Sequence, residues 1–232
     1  MKRFLITIFI FFIVSGSLFA QTPYQIREAI DFFNSNKLQR GEQRGMLTAD
    51  DIEGSPYLND KFIEGAVFTT SKTKYVGVPL RYNIYNDQIE FKSGENQVQA
   101  LAAPEVIEKV EFGDYTMVYI PFVITKKIRR GFFVEMEKGE KAALYARPRI
   151  VFEKATKPAA YQEAEPAKFD RKSDEYYIRI GMEPAQLISR RKDLEEVFPN
   201  HKKEVKSFIK ENRVRPNKPE RIEKLVEFYN SL

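Results

Sequence analysis

The stretch Leu80-Arg81-Tyr82-Asn83-Ile84-Tyr85-Asn86-Asp87-Gln88-Ile89-Glu90-Phe91-Lys92 decides the fold. Asn86-Asp87 interrupts an alternation of apolar and polar residues, and both residues tolerate the positive φ that a two-residue primed turn demands. A turn on those two sets Tyr85 opposite Gln88, Ile84 opposite Ile89, Asn83 opposite Glu90, Tyr82 opposite Phe91 and Arg81 opposite Lys92. Leu80, Tyr82, Ile84, Ile89 and Phe91 then share one face, and the other face is mostly polar. The pattern predicts a half-buried antiparallel hairpin with aromatic and β-branched pairs on its inner side.

Outward from this hairpin the period stays at two from Gly65 to about Phe152. Strands are expected over 66–70, 75–78, 97–101, 106–112, 115–122, 131–136 and 142–150. Pro79 cannot donate to a ladder, so it marks an edge, a bulge or a bend where the organising hairpin begins. Gly113-Asp114 is a second two-residue turn signal. Both faces of 115–122 are apolar, which places that strand at the centre of the core. The last hairpin turns around Lys138-Gly139, with its register open by one residue. Short strands every 8–12 residues or so predict a mainly β (α+β overall) chain, an antiparallel meander curled as a barrel or a sandwich.

Residues 154–172 are rich in Ala, Pro, Glu and Lys and read as an extended connector. A strand over 176–180 turns through Gly181-Met182-Glu183-Pro184 toward 186–188. Helical spacing then takes over. The stripes are Leu194, Val197 and Phe198, then Val205, Phe208 and Ile209, then Ile222, Leu225, Val226 and Tyr229. Ser189, Asn200 and Asn217 are the expected caps, with Pro219 in the first turn of the last helix. Three short stripes of similar size predict a small three-helix C-terminal tail.

The chain opens with Lys2 and Arg3, an apolar run over 4–14 and small residues ending at Ala20, the layout of a secretory signal peptide. The organisation expected is therefore a signal over 1–20, an arm over 21–54, a β domain over 55–153, the connector over 154–172, and a hairpin with helical tail over 173–232. The arm carries a short amphipathic helix over 24–34, with Ile26, Ile30 and Phe33 on its stripe. The chain has no cysteine, so an exported form is held without disulfides. The formal charge of +5 falls to +3 once Lys2 and Arg3 leave. No nucleic-acid partner follows from so small a total. No stable membrane span is expected after signal removal, and the oligomeric state is not legible.

Chemistry is sparsely signalled. His201 is the single histidine, which leaves Ser-His-Asp triads and multi-histidine zinc sites without their parts. No Gly-rich phosphate loop or dinucleotide fingerprint is present, and no cofactor is expected. Glu90, Glu108, Glu111, Asp114 and Glu135 lie on or near strands, and a glycan hydrolase needs two carboxylates about 5–10 Å apart. Nothing singles out a pair, and solubilising carboxylates on a polar sheet face explain them equally. Two basic clusters stand out: Lys126-Lys127-Ile128-Arg129-Arg130, read as a loop, and Arg190-Arg191-Lys192 with Lys202, Lys203 and Lys206. Either can meet phosphate groups, or be a solvated face. Tyrosines spread over the sheet can stack on sugars or grip peptides, or simply reflect strand propensity. The binding surface expected from these features is Tyr82, Tyr85, Tyr119, Lys126, Lys127, Arg129 and Arg130.

Three stretches resemble an abundant uncharacterised group of exported proteins from Bacteroidota-type Gram-negative bacteria. One is Val78-Pro79-Leu80-Arg81-Tyr82-Asn83-Ile84-Tyr85-Asn86-Asp87-Gln88-Ile89-Glu90-Phe91. A second is Gly131-Phe132-Phe133-Val134-Glu135-Met136-Glu137-Lys138-Gly139 with Ala143-Leu144-Tyr145. The third is the tail with Lys192-Asp193-Leu194, Phe198-Pro199 and Leu225-Val226-Glu227-Phe228-Tyr229-Asn230. The resemblance implies a β-sheet module with a helical tail, and an exported address, periplasmic or extracellular. It brings no catalytic residue. The function expected is a non-enzymatic binding or structural module of the envelope with an envelope protein or glycan as partner. The alternatives are a carrier of a small apolar ligand or lipid, and a carboxylate-based glycan hydrolase.

Overall fold

The organising hairpin forms, two residues out of the expected register. In the computed structural model, which describes residues 52–94, 97–154 and 165–232, β1 is Ile52–Glu53, β2 Ile63–Thr69, β3 Lys74–Asn83 and β4 Gln88–Gly94. Leu80 opposes Phe91, Arg81 opposes Glu90, Tyr82 opposes Ile89 and Asn83 opposes Gln88. The turn is thus the four residues Ile84 to Asp87. The Asn86 N–H donates to the Asn83 side chain at 3.0 Å, and Asp87 alone takes the left-handed conformation, φ 52°. Because a two-residue shift preserves the parity of a strand, the inner face survives the change of register. Leu80, Tyr82, Ile84, Ile89 and Phe91 are all buried.

The other face of the hairpin is not solvated. Segment 56–58 pairs alongside the end of β3, with Leu58 N–H donating to the Tyr82 carbonyl at 3.0 Å and Ile84 N–H to the Pro56 carbonyl at 2.8 Å, and the Tyr57 and Phe62 rings lie over the Arg81 guanidinium at 3.6 and 4.4 Å. Beneath this cover Arg81 grips Glu90 with Nε at 3.0 Å and Nη2 at 2.8 Å, and Asn83 donates to the second Glu90 oxygen at 3.1 Å. Pro79 does not divide two strands. β3 runs through it, because the β4 ladder stops at Leu80 and leaves no acceptor in want of a proline N–H. The bend comes at Gly77, φ 68°, where the register against β2 slips.

The chain continues through β5 Gln97–Ala100, β6 Ile107–Phe112, β7 Tyr115–Ile124, β8 Lys127–Glu137, β9 Ala142–Glu153, β10 Ala167–Ile180 and β11 Gln186–Leu187. Gly113-Asp114 turns as expected, with Phe112 opposite Tyr115. The β8–β9 connection spans 138–141, and the register left open is Glu135 opposite Tyr145 and Glu137 opposite Leu144. The fold is mainly β, in one mixed sheet of order β1-β10-β9-β8-β7-β6-β2-β3-β4-β5, with β11 beside β10. It is more than a simple meander. β2 pairs with both β3 and β6, which joins two antiparallel runs, and β1 pairs with β10 in parallel.

One strand assignment changes the expected organisation. β10 starts at Ala167, inside the stretch read as connector, and pairs with β9 along its length. Its local composition is poor for a strand, but β9 offers an open ladder. Phe169 opposite Phe152, and Lys168 beside Glu153 at 3.2 Å, supply the cross-strand contacts. The hairpin of β10 and β11 therefore belongs to the main sheet. The signal over 1–20, the helix over 24–34 and the middle of the connector lie outside the described residues.

The sheet does not close edge to edge as a barrel. It curls, bringing the β3–β4 turn over β8, β9 and β10, and a bridge at Ala185 ties β7 to the segment leading into β11. Val123 N–H donates to the Ala185 carbonyl and Ala185 N–H to the Pro121 carbonyl, both at 2.9 Å. Three apolar clusters result. The first fills the space among β2, β3, β4, β6, β7 and β8. Another lies inside the β7–β11 curl, where Phe122, Phe133 and Tyr177 meet edge to face at 5.0–5.7 Å. β7 serves both, with Met117 facing one and Val118, Ile120 and Phe122 the other, as its two apolar faces require.

The remaining cluster joins the helices to the sheet. They are α1 Arg191–Glu196, α2 Lys202–Glu211 and α3 Pro219–Ser231. Their predicted stripes pack on Ala142, Leu144 and Ile178, so the tail covers β8–β10 rather than standing apart. Each cap position falls one residue beyond the expected one, at Arg190, His201 and Lys218. In α1 the acceptor comes from inside the helix: Asp193 reaches back to the N–H groups of Ser189 and Arg190. In α3, Pro219 fixes the first turn, so Lys218 holds the cap position with no side-chain bond. Asn230 clamps α3 to the sheet, accepting the N–H groups of Lys141 and Ala142 and donating to the Ala142 carbonyl, at 2.8–3.0 Å.

Candidate functional site

The tyrosines and cations expected to form one surface are separated by the fold. Tyr82 is buried, 1 % exposed, and its hydroxyl donates to Asp87 at 2.8 Å. Burial, reinforced by the Asp87 charge, raises this phenol well above the ordinary tyrosine range. It is a structural residue and no part of a contact surface, because parity along β3 turns it inward with Leu80. Asp87 in turn accepts the Phe132 N–H at 3.1 Å and faces Arg147 at 3.5 Å. A Cβ on Gly131 would stand 2.6 Å from the Asp87 carboxylate, so this tip docks only against a glycine.

Around the docked tip stands a polar group that inspection of the sequence missed. Arg147 lies over the Phe122 ring at 4.5 Å, and Tyr177 donates to Glu175 at 3.2 Å. Burial and the Glu175 charge push the Tyr177 phenol up to about 12. Arg149 pairs with Glu175 at 3.0 Å. A signal existed: Arg147 is a lone charge in the apolar run Ala142 to Pro148, on the parity of Ala143 and Tyr145. These groups satisfy one another and fasten the hairpin tip to β8–β10.

Tyr85 is 53 % exposed at the same turn, and its ring leans on Phe169 at 5.3 Å and Phe152 at 6.1 Å. The carboxylates read as solubilising or catalytic are largely committed: Glu90 to Arg81, Glu108 to Lys72 and Glu111 to Lys109. The basic cluster near α1 is also balanced, by Arg190–Asp193, Arg191–Glu195 and Lys192–Glu196 pairs at 3.0–3.3 Å. His201 is exposed at the start of α2.

The other basic cluster is a finger. It is not a loop: only Thr125 and Lys126 turn, both with positive φ (49° and 63°), and Lys127 to Arg130 belong to β8. Two left-handed residues in succession match the right-handed twist of a hairpin and carry β7 and β8 outward as a stiff pair. Val123 opposes Ile128, and Pro121 opposes Arg130. One face of the finger therefore presents Val123, Ile128, Pro121 and Arg130, with Tyr119 at its base. The Arg130 guanidinium stands 5.6 Å from the Tyr119 ring centre. Burial raises the Tyr119 phenol, assisted by Glu105. Ile128 is 67 % exposed, and all four cations are exposed. Among the described residues, Lys126, Lys127, Arg129 and Arg130 take part in no ion pair. Five of the seven expected binding residues thus meet here, without Tyr82 and Tyr85.

Among the described residues no group of carboxylates and histidines is arranged to hold a metal, and no helix is long and apolar enough to cross a membrane. No family model, curated protein or solved structure matches the chain.

Proposed function

We propose that this chain is an exported, non-enzymatic binding module of the cell envelope that engages an anionic, phosphate-bearing surface through the β7–β8 finger. The supporting observation is four uncompensated cations around the exposed Ile128 on a stiff two-stranded projection. Cations near an anionic lipid surface contribute about 1 kcal/mol each, while an aliphatic side chain among them gains by leaving water. Membership of the exported group resembled by the sequence, and a periplasmic or extracellular address, are part of this reading. The interior of the β7–β11 curl is occupied by Phe122, Phe133 and Tyr177, so a ligand carrier draws no support from it.

Co-sedimentation with vesicles tests the proposal. Binding is expected to vesicles containing phosphatidylglycerol, to weaken with salt, and to be absent with phosphatidylcholine alone. The quadruple change of Lys126, Lys127, Arg129 and Arg130 to Gln should abolish it with thermal stability unchanged. Equal binding by this variant, or equal binding to both lipids, would refute the assignment.

A further inference from the structure

A separate feature lies at the far side of the helices. Between the segment entering α1 and the α2–α3 connection is a groove of about 550 Å³, within the range of small-ligand sites. Arg190, Arg191, Lys210, Arg213 and Arg215 line it, and Val214, buried, forms part of its wall. Arg190 and Arg191 are paired with Asp193 and Glu195. Lys210, Arg213 and Arg215 have no carboxylate partner among the described ion pairs, and no acidic residue lines the groove.

The backbone adds a second observation. α2 ends in a Schellman motif, with Val214 N–H donating to the Ile209 carbonyl at 3.0 Å and Arg213 N–H to the Lys210 carbonyl at 3.3 Å. The residue that must be left-handed in this motif, normally glycine, is Arg213 at φ 49°. A long, charged side chain therefore occupies a position where folding alone favours none. It lies between Lys210 and Arg215, where repulsion among cations opposes it further. Lys210, in the last turn, complements the carboxyl end of α2, whereas Arg215 lies beyond that turn and has no such role. Pro216 and Pro219 fix φ on either side of Asn217 and Lys218, which limits the backbone freedom of the connection that carries Arg213 and Arg215 along one groove.

We propose that this groove binds a compact polyanion carrying two or more phosphate or carboxylate groups, with Arg213 and Arg215 as its principal contacts. Arginine forks match either group with paired charge-assisted hydrogen bonds. The site is independent of the finger.

Calorimetric titration of the full mature chain with pyrophosphate, and separately with citrate, tests it. At least one should bind with an affinity that falls as salt is raised. Tighter binding of pyrophosphate assigns phosphate chemistry, and tighter binding of citrate assigns carboxylate chemistry. Arg213→Gly relieves the left-handed strain, so its melting temperature should stay level or rise while affinity falls roughly tenfold or more, the loss expected from one charge-assisted contact. Arg215→Gln should weaken binding to a similar degree, and the finger variant should bind as the parent does. Absence of binding by both anions, or unchanged affinity in Arg213→Gly and Arg215→Gln, would overturn the proposal.

Discussion

Replacing Asp87 with Ala should unfasten the organising hairpin from the rest of the sheet. The carboxylate accepts two donors, the hydroxyl of the fully buried Tyr82 and the Phe132 N–H, and it faces the half-exposed Arg147. Leaving a buried donor unpaired costs about 1–3 kcal/mol, so two give a loss of about 2–6 kcal/mol. The partly exposed ion pair adds at most about 1 kcal/mol. Tyr82→Phe alone removes one hydrogen bond to a charged group and should cost about 1.5–3 kcal/mol. In the Asp87→Ala background, the same change deletes a hydroxyl that has already lost its acceptor and should be nearly neutral. The double-mutant cycle is therefore expected to show coupling of about 1.5–3 kcal/mol. Asp87→Asn keeps an acceptor and tolerates the left-handed backbone, so it should lie between parent and Asp87→Ala. Urea unfolding followed by circular dichroism reads these values from the midpoint at constant slope. Additivity of Tyr82→Phe and Asp87→Ala within about 0.5 kcal/mol would refute the reasoning.

Arg81→Ala should cost about 3–5 kcal/mol, because it strands the buried Glu90 without its cation; the same urea titration measures it, and a loss under about 1 kcal/mol would mean that Glu90 has access to water. Asn230→Ala removes three hydrogen bonds of the helix clamp and should lower stability by about 2–4 kcal/mol. Gly139→Ala should do comparable damage, since a Cβ there falls 2.0 Å from the Asn230 side chain, and thermal melts of the two variants and their combination should be strongly non-additive. The Glu137 and Glu223 carboxyls are both held above the usual range, first by burial and then by the Glu227 charge, with Glu223 and Glu135 adding to it at Glu137 and Glu220 at Glu223. Groups raised in this way favour the protonated folded state below the ordinary carboxyl range, and that contribution disappears as pH climbs through the raised values. Glu137→Gln and Glu223→Gln should therefore raise the melting temperature at neutral pH and leave it unchanged in strong acid; a rise that is equal at both pH values would contradict the assignment.

Much of the candidate surface was legible because charge and turn chemistry are local. The run Lys126 to Arg130 announced itself by composition, although the strand character of its last four residues came from pairing with β7. Tyr82 and Tyr85 lie three residues apart and look alike in the sequence, yet one is buried on a hydroxyl contact and the other is exposed at the turn. The groove arginines were harder to see. Asn212-Arg213-Val214-Arg215-Pro216-Asn217 shows alternating cations between turn formers, but only the approach of α1 to the α2–α3 turn makes a hollow of them.

The sequence by itself determined the mainly β class, the inward face of the hairpin and the helical stripes, because side-chain parity and a 3.6-residue repeat are properties of single segments. Tertiary structure decided which strands pair across long separations: β2 with β6, β10 with β9 through a stretch of poor strand formers, and the curl that seats Asp87 against Phe132 and Arg147. Those choices depend on where an open ladder and an unsatisfied donor come to lie in space. A periodic pattern says which way a side chain points, but not which distant backbone waits there to receive it.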